Sequence, residues 1–239
     1  MARVLAIPDT QYPFAHRDHL NFLKEVNKYY GKFDHIVHLG DEVDFHALGN
    51  WDHDPDGYSA GDELKAALKD MHKLYEMFPK VMVCTSNHTA RPFRKAFTSG
   101  IPKAFLRDYH EFLEAPKGWE WREYWEVDGV RYEHGEGFSG MTAAKKSAIG
   151  NMQSTVIGHI HSHAGILYWA NEASLLYGFN CGCLIDRHKY AFAYGKKMKD
   201  KPILGCGVIE DGIPTFIPMI LNKRNRWIGK IIIPHVKIK

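Results

Sequence analysis

The sequence predicts an α/β protein in which two sheets pack together with helices outside, and three observations predict it. Strand-like and helix-like stretches alternate as β-α-β-α-β-α and then give way to mainly β. The first three strands, in "RVLAIPD", "DHIVHLGD" and "KVMVCTSN", are short, mostly apolar runs of the kind that form parallel strands buried on both faces. Polar residues collect where those strands end, at Asp9, Asp41 and Asn87, which is where α/β proteins place their sites.

The elements follow in order. "RVLAIPD" is a strand stopped by Pro8, and "RDHLNFLKEVNKYYG" has helical spacing at Leu20, Leu23, Val26 and Tyr30 and ends at Gly31. After the second strand, "NWDHDPDGYSAG" is a long polar loop, expected to border the site from Gly49 to Gly61. "DELKAALKDMHKLYEMF" is a helix closed by Pro79, and a helical stretch over residues 91–114 follows the third strand, interrupted near Pro102. "WEWREYWEVDGVRYEHGE" predicts two strands joined at Asp128-Gly129, with Trp119, Trp121 and Tyr124 on one packing face. "GMTAAKKSAIG" is a helix and "STVIGHIHSH" a strand with a histidine-laden exit. From about residue 164 short strands are expected, with turns at Gly178, Gly195, Gly205 and Asp211-Gly212.

A chain of 239 residues is enough for one α/β domain with a full core and too short to make two the default, so residues 1–239 are taken as a single domain. Hydrophobic content of 45% and charged content of 25% are those of an ordinary soluble globule. No apolar run is long enough to cross a bilayer, and "MARVLAIPDTQYPF" meets Pro8 and Asp9 too soon for a signal peptide, so a cytoplasmic protein without a membrane partner is expected. Cys84, Cys181, Cys183 and Cys206 form no Cys-x-x-Cys pair and suggest reduced, partly buried thiols. The net charge of +3 does not by itself indicate a nucleic-acid binder, although no acid follows Asp211 while Lys223, Arg224, Arg226, Lys230, Lys237 and Lys239 do. A solvated edge explains that tail as well as a polyanion does.

The informative feature is a set of five stretches, each after a strand: "PDTQ" with Asp9 and Gln11, "GDEVD" with Asp41 and Asp44, "SNHTAR" with Asn87, His88 and Arg91, "HGEG" with His134, and "GHIHSH" with His159, His161 and His163. Each offers the oxygen or imidazole donors that suit divalent metals of intermediate hardness. Singly, each is more often a turn, a cap or a satisfied polar residue. The three acids Asp41, Glu42 and Asp44 crowd one strand end, where mutual repulsion calls for a cation, a basic partner or water.

This string of motifs resembles the calcineurin-like metallophosphoesterase superfamily, whose pattern is Asp-x-His, Gly-Asp-x-x-Asp, Gly-Asn-His, a later His and Gly-His-x-His. The resemblance spans residues 9 to 161, and "NCGCLIDRHKYAFAYG" is similar to phage-encoded members. It implies a four-layer α/β/β/α sandwich of two mixed sheets with a two-metal centre where the strands end. One metal would be held by Asp9, Gln11, Asp41 and His161, the other by Asp41, Asn87, His134 and His159, with Asp41 bridging. Asp44 would orient His88, Glu42 would be a solvated neighbour, and Arg91 could hold a phosphate oxygen in a bidentate fork. Gln11 stands where histidine is usual; its neutral oxygen weakens the site for zinc and favours manganese or magnesium, with iron and zinc as the alternatives. Ser86 replaces the usual glycine and is expected to affect only the backbone of its turn.

The implied activity is hydrolysis of a phosphoester by a hydroxide bridging two metal ions, with His88 protonating the departing oxygen. The arginine of the serine/threonine phosphatase subclass is absent, since Phe45 and His46 occupy the places after the second motif. Arg91, Arg94 and Lys95, the tail, and the aromatic run "WEWREYW" with Trp119, Trp121, Tyr124 and Trp125 lean toward a phosphodiesterase or nuclease acting on DNA, RNA or a small nucleotide. Asp52, Asp54 and Asp56 oppose a long polyanion and favour a small or end-bound substrate. A broad phosphomonoesterase and a metal-binding module with impaired turnover are the alternatives.

Overall fold

The structure, a computed structural model, describes residues 1–50, 56–190 and 199–233. Strands β1 (Arg3–Ile7), β2 (His35–His38), β3 (Lys80–Cys84) and β4 (Gly118–Arg122) run parallel, because helices α1 (His19–Tyr30) and α2 (Ala60–Met77) make the crossovers between the first three. The first sheet has the order β11-β10-β1-β2-β3-β4, where β10 (Gly205–Glu210) pairs antiparallel with β1 and β11 (Ile213–Pro218) antiparallel with β10. The second has the order β5-β6-β7-β9-β8, built from β5 (Tyr124–Val127), β6 (Val130–Glu133), β7 (Thr155–Ile157), β8 (Gly165–Ala170) and β9 (Leu175–Asn180). It too is mixed: β6, β7 and β9 are parallel, and β5 and β8 are antiparallel edges.

Alternation along β1 fixes the layers. Leu5 and Ile7 face a core shared with Phe22, Leu23 and Val26 of α1 and Met71 and Leu74 of α2. Val4 and Ala6 face the second sheet, where they join Val37, Leu39, Trp125, Tyr132, Val156 and Phe179. On the far face of the second sheet, Ala143 and Ala144 of α5 (Ala143–Asn151) cover Ile157. Gly178 lets that helix approach: a Cβ there would lie 2.2 Å from the Ala144 carbonyl. The result is an α/β/β/α sandwich of two mixed sheets, as expected.

Several local expectations are corrected. "WEWREYWEV" is two strands in different sheets. Trp119 on β4 packs toward the helices and donates to the Phe78 carbonyl at 2.8 Å, whereas Trp125 on β5 lies between the sheets and donates to that of Val83 at 2.9 Å. Tyr124 is 42% exposed and shares no face with Trp119, because the chain changes sheet at Glu123. Gly178 lies inside β9 and Gly205 begins β10, where close packing selects glycine, while Asp211-Gly212 does turn. Residues 91–114 form α3 (Arg91–Thr98), a 3₁₀ turn at Lys103–Phe105 and α4 (Tyr109–Phe112). All four cysteines are free and fully buried. Arg226 does not simply face solvent: it forms a two-pronged pair with Asp18 at 2.7 and 2.8 Å. Gly195, Asp52, Asp54, Lys237 and Lys239 fall outside the described residues. Among the described residues no helix is long and apolar enough to cross a membrane.

Candidate metal centre

The strand exits bring the five sequence stretches together. Asp9 and Gln11 follow β1, Asp41 follows β2, Asn87 and His88 follow β3, His134 follows β6, and His159 and His161 follow β7. Because the two sheets face each other, the last three histidines arrive opposite the first three stretches.

Two groups share Asp41. Ligand atoms of Asp41, His134 and His159 lie within 4.8 Å of one another, and so do those of Asp9, Asp41 and His161. Around His134 Nε2 stand Asn87 Oδ1 at 2.8 Å, His159 Nδ1 at 3.1 Å and Asp41 Oδ2 at 3.4 Å. His134 Nδ1 donates to the Leu39 carbonyl at 2.9 Å, which leaves Nε2 as the nitrogen facing the cluster. In the other group His161 Nε2 is 3.2 Å from Asp9 Oδ1, and the Gln11 amide lies 3.4 Å from both Asp41 Oδ2 and His161 Nε2.

The donor set fits divalent cations. Asp9 and Asp41 are buried, yet among the described residues their ion-pair partners are imidazoles only; buried carboxylates call for stronger compensation. Gln11 Oε1 is buried with no hydrogen-bond partner among the described residues. Turning the amide over would aim that oxygen at Asp41 and His161, the position a metal would take. Burial opposes charge on both members of the Asp41–His134 pair, but their mutual attraction prevails: the Asp41 carboxyl is held well below its usual range and His134 is raised to about 9. Burial, and then the charge of His134, lowers His159 to about 4 and keeps it a neutral donor.

The backbone is bent to this purpose. Gln11, Asp41 and His159 all have positive φ, of 43°, 51° and 64°, a conformation that non-glycine residues rarely adopt and that concentrates at functional sites. Ser86 supports one of them: its Oγ accepts from the Asp41 N–H at 2.6 Å, so its side chain matters where a backbone effect alone was expected. His88 N–H donates to Asp41 Oδ1 at 3.0 Å and the His159 N–H to Asp9 Oδ2 at 3.0 Å.

His88 Nδ1 lies 2.5 Å from Asp44 Oδ1. Burial lowers the His88 pKa, but the charges of Asp41 and Asp44 outweigh it and the net shift is upward. Arg91 is tucked beneath them, with Nη1 donating to the Asp44 carbonyl at 2.8 Å, to Asp44 Oδ1 at 3.1 Å and to the Phe45 carbonyl at 3.2 Å. With Nη1 committed and Nη2 3.3 Å from His88 Nε2, the guanidinium buttresses the pair.

Glu42 is the clearest correction. It is fully buried, takes hydrogen bonds from Trp121 Nε1 at 2.7 Å and Thr89 Oγ1 at 2.8 Å, and burial raises its pKa to about 7. Its neighbours come from β4 and from the turn before α3, so nothing adjacent in sequence signalled its burial. Glu63, also missed, accepts from the His46 and Ala47 N–H groups at 2.7 and 2.9 Å and anchors the segment that carries Asp44. An acid in the first turn of α2 had been the only signal.

The centre opens into a cleft of about 470 Å³ lined by Asp41, His88, His159, His161, His163 and Asp200, among others. Asp56 of the polar loop is exposed and lines none of it.

No protein-family profile matches the chain, and no curated protein matches it. Among solved structures the chain is similar to a metallophosphoesterase from Sphaerobacter thermophilus, with 16% identity over 90% of this chain and 86% of that one and a TM-score of 0.41. It is also similar to Yfce, a phosphoesterase from E. coli, with 14% identity over 97% of this chain and 98% of that one and a TM-score of 0.46.

Proposed function

We propose that the protein is a dinuclear-metal-dependent phosphoester hydrolase of the calcineurin-like type, acting on phosphodiesters of nucleic acid or nucleotides. The observation that carries this is the pair of donor groups sharing one carboxylate, Asp41. Asp9, Gln11, Asp41 and His161 would hold one ion, and Asp41, Asn87, His134 and His159 the other. The first set has three oxygen donors to one nitrogen, which favours manganese or magnesium over zinc. Bound there, two dications supply Lewis acidity and an activated water to a phosphoester that otherwise resists attack.

The chain's own residues do the rest. Asp41 Oδ2 faces both donor groups, while its Oδ1 is pinned by the His88 N–H, so the shared carboxylate cannot rotate away. His88 would donate to the departing oxygen from Nε2, since Nδ1 is turned to Asp44; Nε2 here faces the Arg91 Nη2 donor at 3.3 Å, so its protonation displaces that contact. Asp44 is a positioning residue, held in turn by Arg91.

Assays with manganese on p-nitrophenyl phosphate, bis-p-nitrophenyl phosphate and single-stranded DNA test this. Cleavage of a diester is expected. Cleavage of the monoester alone removes the diesterase half, and silence with manganese, magnesium and zinc alike leaves only metal binding. Uptake of no divalent ion by the purified protein defeats the whole proposal.

A further inference from the structure

Helix α3 starts directly after Asn87 and His88, and its two sides have different neighbours. Arg91 reaches Asp44, and Lys95 Nζ donates to Asn50 Oδ1 at 3.1 Å, so one side lies on the segment after Asp41. Ala90, Phe93, Arg94 and Phe97, spaced by three and four, border a separate cleft of about 570 Å³ whose opposite wall includes Leu106 and Tyr109. Nothing in the proposed chemistry uses this cleft, although its size is that of a small-ligand site.

Its wall is aromatic. Phe93 meets Tyr109 edge-on at 5.1 Å, and Tyr109 stacks on Trp121 at 5.5 Å with 16° between the rings. Of the lining residues Phe97 is 84% and Ile101 45% exposed, and Phe105, close by on the same segment though outside the lining, is 78% exposed. Single exposed apolar residues are ordinary, but a group of them along one segment beside an apolar cleft marks a binding surface. Two cations, Arg94 and Lys103, line the cleft, together with one acid, Asp108, whose Oδ1 accepts from the Glu111 N–H at 2.9 Å. Aromatic faces bordered by cations suit nucleobases and their phosphates, whereas a purely aliphatic ligand would gain nothing from the cations.

The cleft also lies beside the metal centre along the chain. Ala90 lines it, while His88, two residues earlier, lines the cleft over the metal ligands. Arg94, which lines the cleft, has its Nη1 4.0 Å from Glu136, two residues past His134. A group seated here sits on the His88 side, where the departing oxygen takes its proton.

We infer that the cleft between α3 and residues 103–109 is a base-binding subsite, which seats the nucleobase of the alcohol leaving from the phosphoester. The inference rests on the hydrolase function proposed above and names its substrate class.

Calorimetric titration of the manganese-loaded full-length protein tests it, with two probes that cannot be hydrolysed: the 5′-methylene phosphonate of adenosine and the same phosphonate of ribose without a base. The adenosine probe should bind at least ~5-fold more tightly, the smallest gain expected of one stacked base. That advantage should vanish in Phe97→Ala, whose exposed ring lines the cleft and leaves the core untouched, while the ribose probe keeps its affinity. Equal affinities in the parent protein, or an advantage surviving Phe97→Ala, overturn the subsite. If the protein takes up no metal and neither probe binds, the hydrolase function fails by itself, and NMR then decides the cleft: adenosine must shift the Phe93, Phe97 and Tyr109 ring signals or the subsite is wrong. A parent dimer that dissociates in Phe97→Ala, read by light scattering, would make the patch a contact between copies and overturn the inference too.

Discussion

His88 Nδ1 stands 2.5 Å from Asp44 Oδ1, and Arg91 Nη1 donates to the same carboxylate oxygen at 3.1 Å. One buried acid therefore fixes both side chains beside the shared Asp41, and its backbone carbonyl takes a further bond from Arg91. His88→Ala is expected to lower turnover by about 10²–10⁴-fold while metal content stays at the parental level, since His88 is outside both donor groups. Loss of metal together with activity, read by elemental analysis, would instead make His88 structural. Asp44→Asn should fall in the same direction by less, with the activity profile against pH displaced.

Gln11 Oε1 is a buried acceptor without a partner among the described residues, and the amide lies 3.4 Å from Asp41 and from His161. Gln11→Ala should lower bound manganese from about two equivalents toward about one. Gln11→His should restore two and shift retention toward zinc, because imidazole nitrogen suits zinc better than an amide oxygen does. Unchanged metal content and preference in both variants would show that Gln11 is not a ligand.

Gly158 is held to glycine by a side chain. A Cβ at that position would fall 2.2 Å from Asp9 Oδ2. Gly158→Ala should push Asp9 out of the first donor group and cost that site its metal, with only a small drop in Tm because the clash is with a side-chain end. Parental metal stoichiometry in this variant would count against Asp9 as a ligand.

Glu42 accepts from Trp121 Nε1 and Thr89 Oγ1 in a fully buried position. Glu42→Ala leaves both donors without an acceptor, at roughly 1–3 kcal/mol each, and should unfold at clearly lower denaturant concentration. Glu42→Gln keeps an acceptor and removes the buried acid, so it should lie near the parent. Equal stability of parent and Glu42→Ala at pH 8 would contradict the role.

His19 gives a pH dependence away from the metal centre. Its Nδ1 donates to the His16 carbonyl at 2.6 Å, so Nε2 accepts from Tyr12 Oη, also at 2.6 Å. Burial lowers its pKa from 6.5 to about 4. The unfolded chain thus binds the proton more readily, and stability rises with pH between those values. The contribution is fully present above pH 6.5 and is lost as pH falls toward 4, on the order of 3 kcal/mol in all. Denaturant titrations of the parent and His19→Gln should show that slope in the parent and a shallower one in the variant; identical slopes would rule the proton uptake out.

The parallel strands were legible because burial on both faces leaves an apolar run with its polar residues at one end: β1, β2 and β3 end at Asp9, Asp41 and Asn87, as their sequences indicate. The metal-ligand candidates were legible for a related reason, since each carries a donor atom and follows a strand. Local composition contains both kinds of information. What tertiary structure alone decided is which distant residues share a low-dielectric space. Glu42 looked like a solvated acid until β4 brought Trp121 over it. Arg91 looked free to grip phosphate until Asp44 and Phe45 took its Nη1. "WEWREYWEV" reads as one strand because alternation records an inward face and not the sheet to which it belongs. Chain chemistry set the donors and the strand ends; pairing between segments scores of residues apart set burial, and burial determines whether an acid or a guanidinium is a solvated charge or a fixed part of the site.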